Sequence, residues 1–254
     1  MDTFFRSILQ RIHSASMPLL SRIPVRLWRG PAAGLISVGA LAYTDIFRDE
    51  SPAERFLDEL TLAGKTVYDI GGYIGITGIA FARKTGEKGN VICCEPNPVL
   101  VRLIRKNKRS NKMYWLEIMN IAVGEADGQA EMYVEPDRAA AGTLRKNAAA
   151  NSKFAVTVRT VDSLVKEGVP APDLVAVDAP GYGLQVLKGM TTVLRKGNCA
   201  LIIALYDNDT AAVISLLMKY GYSIRHIEQA AMITDAAAAA SLRSGHIYCT
   251  KNGN

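Results

Sequence analysis

The chain has 254 residues, 49% of them hydrophobic and 21% charged, a composition that belongs to a folded core and excludes a disordered chain. Four cysteines are too few for a disulfide scaffold, and Cys93, Cys94, Cys199 and Cys249 lack the C-x-x-C spacing of the usual zinc site. The net charge of +6 is concentrated in two places, residues 1–30 with five arginines and one aspartate and residues 102–112 with six basic residues and no acid, and two local patches argue against general nucleic-acid binding.

In the opening segment Phe4, Phe5, Ile8, Leu9 and Ile12 fall at helical spacing, with Arg6, Gln10 and Arg11 elsewhere. Such an amphipathic helix over residues 3–13 either packs on the main domain or a second subunit, the commoner arrangement, or lies on a membrane surface. No apolar core of a signal peptide follows it. The longest apolar stretch nearby, PAAGLISVGALAY, has thirteen residues, against about 20 for a membrane-spanning helix. These features, with cysteines that read as buried hydrophobes in a reducing compartment, predict a cytoplasmic protein, at most peripheral to a membrane. Pro18, Pro24 and Pro31 break the next segment into short irregular pieces.

A helix start follows at Ser51-Pro52-Ala53-Glu54, where Ser51 caps, Pro52 suits the first turn and Glu54 completes a capping box. Phe56, Leu57 and Leu60 form its apolar face and Gly64 reads as its stop. Residues 1–50 are thus expected as a helical or irregular extension, and 51–254 as the main domain.

From there strands and helices alternate. KTVYDI, NVICCE, WLEIMNIAV, DLVAVDA and CALIIALY read as buried strands. ITGIAFARKTG, PVLVRLIRKNKRSN, LQVLKGMTTVLRKG and TAAVISLLMKYGY read as helices. Residues 127–160 read as an inserted hairpin, and SIRHIE and HIYCTK as closing strands around an Ala-rich loop at 236–240. The pattern predicts an α/β fold with a doubly wound, mostly parallel sheet.

The sharpest local feature is Val67-Tyr68-Asp69-Ile70-Gly71-Gly72-Tyr73-Ile74-Gly75, where a strand gives way to a helix. Glycines there let the backbone turn tightly and approach a ligand. A dinucleotide fingerprint would need glycines at Tyr73 and Ile76, so the nicotinamide reading fails on spacing. Glu95 ends the next strand, in Cys94-Glu95-Pro96-Asn97-Pro98. A carboxylate at that place accepts hydrogen bonds from ribose hydroxyls; the plainer alternative is a cap for the helix that follows. Asn120-Ile121-Ala122-Val123-Gly124 ends the third strand, where Ile121 and Ala122 can cover a base and Asn120 can reach its edge.

In order and spacing, VYDIGGYIG, EPNP, NIAVGEADG, TVDSL and VDAPGYGLQVLKGM resemble the FkbM family of class I S-adenosylmethionine-dependent methyltransferases, over about Gly30 to Tyr206. The resemblance implies a Rossmann-like seven-stranded sheet, S-adenosylmethionine as cofactor, no metal, and methylation of a hydroxyl on a small molecule, sugar or glycolipid. It implies a cofactor set of Asp69, Gly71, Gly72, Tyr73, Gly75, Glu95, Pro96, Asn97, Asn120, Ile121 and Ala122, with Asp69 and loop carbonyls receiving the cofactor ammonium. Asp178, at the end of a central strand, is the expected general base; its alternatives are capping the next helix or holding the cofactor amine. Tyr73 and Tyr182 can wall an acceptor pocket, while His226 and His246 read as core or edge residues.

The chain departs from the family in two places. The usual I-K-I-D-V-E-G-A-E-L is Val175-Ala176-Val177-Asp178-Ala179-Pro180-Gly181-Tyr182-Gly183-Leu184 here, and the Asn of the glycine loop is Tyr73. The lost lysine and glutamates leave open a catalytically degenerate chain serving as a partner subunit. Asp178-Ala179-Pro180-Gly181 also resembles the D-A-P-C-x-G loop of RNA cytosine-5 methyltransferases, but Gly181 stands where that chemistry needs its thiolate.

Overall fold

The computed structural model describes residues 19–134, 142–143, 152–206, 209–235, 242 and 244–251. The expected helix at 3–13 and the loop at 236–240 lie outside the described residues. The described chain opens with an antiparallel hairpin, β1 (Pro24–Arg26) and β2 (Ile36–Val38), and a single turn, α1 (Ala40–Tyr43). A paired hairpin thus stands where the proline spacing predicts irregular chain.

Helix α2 (Pro52–Glu59) starts on the expected capping box, with the Ser51 side chain accepting from the Glu54 amide and the Glu54 carboxylate accepting from the Ser51 amide. It stops well before Gly64. Leu60 is already extended (ψ 135°), and extension lets Leu60 and Leu62 point into the same apolar cluster. Gly64 sits at φ 72° in the later turn.

The chain then runs β3 (Thr66–Ile70), α3 (Ile76–Thr85), β4 (Asn90–Cys94), α4 (Pro98–Ser110), β5 (Leu116–Met119), β6 (Ala122–Val123), β7 (Gly128–Val134), β8 (Gly142–Thr143), β9 (Ser152–Arg159), α5 (Val161–Lys166), β10 (Leu174–Val177), α6 (Gly183–Lys188), α7 (Thr191–Lys196), β11 (Ala200–Leu205) and α8 (Thr210–Lys219). β12 (Ser223–His226), β13 (Ala231–Ile233) and β14 (Gly245–Thr250) close the sheet. Its order is β13-β12-β14-β11-β10-β3-β4-β5, with β11, β10, β3, β4 and β5 parallel and the other three antiparallel. The seven expected strands are present, and β13 adds an eighth at one edge.

Period-two alternation splits the core into two layers. Tyr68, Ile70, Ile92, Cys94, Val175, Val177, Leu201 and Ile203 face α5–α8. Val67, Val91, Cys93, Leu174, Ala176 and Ile202 face the opposite layer, with Ile79, Phe81 and Ile104 from α3 and α4. All four cysteines are free and buried, as their apolar context predicts.

Two expected elements are divided. The strand read over WLEIMNIAV breaks at Asn120: β5 pairs with β4, whereas β6 joins a second, four-stranded sheet of order β6-β9-β7-β8. The inserted hairpin is the β7–β9 pair of that sheet. The helix read over LQVLKGMTTVLRKG breaks at Gly189, where a Cβ would come 1.9 Å from the Gly124 carbonyl oxygen. Asp162 of the TVDSL segment compensates the break. Its carboxylate accepts from the Thr192 and Val193 amides at 2.8 and 3.2 Å, which caps α7.

The hairpin is tied to α4 by two asparagines one turn apart. Asn107 accepts from the Val38 amide and donates to the Val38 and Ile74 carbonyls. Asn111 accepts from the Ile36 amide at 2.8 Å and donates to the Ile36 carbonyl at 2.7 Å. Their amides extend the pairing of β2 as a neighbouring strand would. Among the described residues no helix is long and apolar enough to cross a membrane.

Candidate active site

A cavity of about 370 Å³ opens at the carboxyl ends of β3, β4 and β10, where open α/β sheets hold their ligands. Its floor is the glycine loop after β3. Gly71, at φ 90°, lets that loop lie on the end of β10, since a Cβ there would come 2.1 Å from the Asp178 carbonyl oxygen. The Gly71 and Gly72 amides both donate to the Cys94 carbonyl, which ties the loop to β4.

Tyr73 occupies the left-handed region at φ 49°, which Asn tolerates better than Tyr. That explains the Asn usual in the family and sets a cost on the replacement. The surroundings offset it: the Tyr73 amide donates to Glu95 Oε2 at 2.9 Å, and its hydroxyl donates to the Tyr43 carbonyl of α1 at 2.9 Å. Tyr43 and Tyr73 also meet edge to face.

Glu95 is the buried acid on the cavity wall, 5% exposed. Its Oε1 accepts from the Asn97 amide at 2.8 Å. Each oxygen keeps one lone pair. Burial pushes its carboxyl up to about 7, against the lowering effect of the two amides and with a raising contribution from Asp69. The capping alternative for Glu95 does not hold, because the Asn97 side chain caps α4 by accepting from the Val99 amide.

Pro96, Leu100, Ile121, Ala122, Val123 and Met132 supply apolar walls, and Thr77 lies on the α3 side. Asp178, Ala179, Pro180, Tyr182 and Tyr206 close the far end. The Tyr206 hydroxyl donates to Asp178 Oδ1. Asp178 does not cap the next helix, where the Leu184 amide faces Asp209 at 3.4 Å.

Of the expected cofactor residues, Gly71, Tyr73, Glu95, Pro96, Ile121 and Ala122 line the cavity, and Asp69, Gly72, Gly75, Asn97 and Asn120 do not. Asp69 lies beneath the loop at 3% exposure, where the Cys93 thiol approaches it at 3.6 Å and burial pushes it up to about 7. The structure thus places Asp69 under the glycine loop and not on the cavity wall. Gly72 and Gly75 serve packing, their Cβ positions falling 2.2 Å from Cys93 Sγ and 2.9 Å from Ile104 Cγ2. Asn120 donates to the Glu95 and Pro96 carbonyls at 2.9 and 2.8 Å, so it fixes the β4–α4 turn instead of reaching into the cavity.

Sequence reading missed Tyr206, Thr77, Leu100 and Met132. Tyr206 carried a usable signal, as the residue directly after the central strand β11, whose Ile203 is paired with Val177 beside Asp178. Met132 carried none, because it belongs to the second sheet. His226 and His246 stand outside the cavity, both beside Glu228, with His246 Nδ1 2.6 Å from its carboxylate. Among the described residues no three His, Cys, Asp or Glu are grouped to hold a metal ion.

Sheet order, glycine loop and acid after β4 define a class I methyltransferase fold. The methyltransferase FkbM domain model matches residues 69–224. Hexuronic acid methyltransferase AglP of Haloferax volcanii is 31% identical over 176 residues, covering 68% of this chain and 69% of that protein. The crystal structure of methyltransferase FkbM from Methylobacillus flagellatus superposes with a TM-score of 0.51 at 16% identity, over 76% of this chain and 45% of that one. This chain thus spans less than half of that solved protein. It belongs to the FkbM methyltransferase family.

Proposed function

We propose that the protein methylates a hydroxyl group of a sugar, with S-adenosylmethionine seated in the cavity between the glycine loop and Ala122. The residues fit that group. Glu95 offers two lone pairs to ribose hydroxyls, Ile121, Ala122 and Leu100 offer apolar cover for adenine, and Gly71 lets the glycine loop that floors the cavity lie on the end of β10. When bound, the cofactor supplies a methyl group already activated by its sulfonium. The chain then has to align the acceptor, exclude water and take up a proton.

The observation that carries this reading is the Asp178 carboxylate on the cavity wall. A hydroxyl acceptor needs a base as it attacks, and a carboxylate acceptor does not. Asp178 would also repel an acceptor carboxylate, and the described cavity lining holds no Lys or Arg to receive one. Hydroxyl methylation is therefore favoured over esterification of an acidic sugar. The name of the Haloferax relative supports a sugar acceptor. Cytosine chemistry is disfavoured: Gly181 sits at φ 65°, and burial pushes the one cavity-lining thiol among the described residues, Cys94, well above its ordinary value.

The test is Asp178→Asn, assayed with methyl-labelled S-adenosylmethionine and a panel of hexosides and hexuronides. The variant should bind S-adenosylhomocysteine within about threefold of the parent, while transfer falls about 100-fold or more, the usual range for a lost general base. Transfer at the parental rate would refute the role of Asp178.

A further inference from the structure

We propose that Tyr206 is a positioning residue for methyl transfer, holding one oxygen of Asp178 through its hydroxyl so that the other oxygen faces the acceptor. The proposal rests on the function proposed above. β10 and β11 are parallel neighbours with Val177 opposite Ile203, so the residues that follow them emerge side by side at the same edge of the sheet. Both Asp178 and Tyr206 line the cavity, and the phenol hydroxyl bonds Oδ1. The hydroxyl occupies Oδ1, and Oδ2 is the oxygen the proposal assigns to the acceptor.

Burial, reinforced by the charge of Asp178, pushes the Tyr206 hydroxyl well above its ordinary value. It therefore stays protonated and acts as a fixed donor, so the base is the carboxylate. In the transfer the acceptor oxygen gains the methyl carbon, the carbon–sulfur electron pair stays on sulfur, and the hydroxyl proton passes to Asp178 Oδ2. The Tyr206 proton does not move. A donor on Oδ1 fixes the rotation of the carboxylate and so aims Oδ2. Other titratable groups surround the pair: Asp69 beneath the loop, whose field couples to Asp178, Glu95, Tyr73 and Tyr182 around the cavity, and Asp209 at the start of α8, which faces the Leu184 amide of α6.

The test is Tyr206→Phe, which removes only the hydroxyl. With methyl β-glucoside and methyl β-glucuronoside as acceptors, kcat at pH 7 should fall about tenfold, the loss expected for one hydrogen bond to a charged group. KM for the cofactor should hold within twofold. KM for either sugar should change little, so that the loss appears in kcat alone. A parental kcat would overturn the proposal. So would abolition of transfer at every pH by Tyr206→Phe with transfer retained in Asp178→Asn, because Tyr206 would then carry the proton itself.

A second measurement needs no acceptor. The ¹³C carboxyl resonance of Asp178, assigned by its loss in Asp178→Asn, is recorded at one fixed pH in the free protein and with S-adenosylhomocysteine. Tyr206→Phe should displace it, because the hydrogen bond to Oδ1 is gone, and an unmoved resonance would overturn the proposal. If neither sugar is methylated while the resonance is displaced, the acceptor reading fails and the placement of Asp178 by Tyr206 stands.

Discussion

Replacing Glu95 by Gln separates what this side chain does for the fold from what it does for the ligand. Its carboxyl is pushed from 4.5 up to about 7 by burial. The folded protein therefore holds a proton there that the unfolded chain releases near 4.5. Stability from this group is present at acid pH and lost as pH rises toward 7, about 3 kcal/mol in all at about 1.4 kcal/mol per unit. Roughly 2 kcal/mol of that loss falls between pH 5.5 and 8. Gln removes the titration. It can still accept from one of the Tyr73 and Asn97 amides, but its own N–H₂ meets the other, at a cost of about 1–3 kcal/mol.

At pH 8 the two effects nearly cancel, and the variant should unfold at a similar denaturant concentration to the parent. At pH 5.5 it should be less stable. Asp69 titrates in the same range and is coupled to Glu95, so the difference between the two pH dependences reads Glu95 together with that coupling. Affinity for S-adenosylhomocysteine at pH 8 should fall at least about tenfold, one charged hydrogen bond to a ribose hydroxyl being worth about 1.5–3 kcal/mol. Urea unfolding at both pH values and calorimetric titration read the two arms. Equal affinity in parent and variant, or the same pH dependence of stability, would refute the reasoning.

Other outcomes follow from the same geometry. Gly72→Ala drives a methyl to within 2.2 Å of Cys93 Sγ and should cost about 1–3 kcal/mol from overpacking, a fall of several degrees in melting temperature that Cys93→Ala in the same chain should partly reverse. Asn107→Ala removes the bonds to both polar groups of Val38 and to the Ile74 carbonyl; it should cost about 2–4 kcal/mol, and hydrogen exchange should reveal the loss first at the Val38 amide. Because burial pushes Cys93, Cys94, Cys199 and Cys249 upward, none should react with a thiol reagent at neutral pH until the protein unfolds.

The sheet was legible because its strands are short continuous apolar runs between helices with clear signals, such as the capping box at Ser51 and the Asn97–Pro98 start of α4. Errors fell where tertiary contacts override a local pattern. Nothing in LQVLKGMTTVLRKG announces that Gly189 must yield to the Gly124 backbone, and nothing in WLEIMNIAV announces that Asn120 will bind the Glu95 turn. The N-terminal hairpin escaped notice because its pairing is completed by asparagines about 70 positions away on α4. In the site, the cavity-lining positions of Glu95 and Gly71 were legible because a strand end and its turn fix them. The burial of Asp69 was not, because the motif alone does not say whether its carboxylate lies above or below the loop, and packing decides.

The central claim is that this cavity transfers a methyl group to a sugar hydroxyl. The most direct measurement incubates the purified protein with methyl-labelled S-adenosylmethionine and a panel of neutral hexosides and hexuronides, then locates the label by mass spectrometry. The account predicts label in an alkali-stable methyl ether on a ring hydroxyl, formed by the parent and absent with Asp178→Asn. Label in an alkali-labile ester, or transfer that survives that variant, would contradict it.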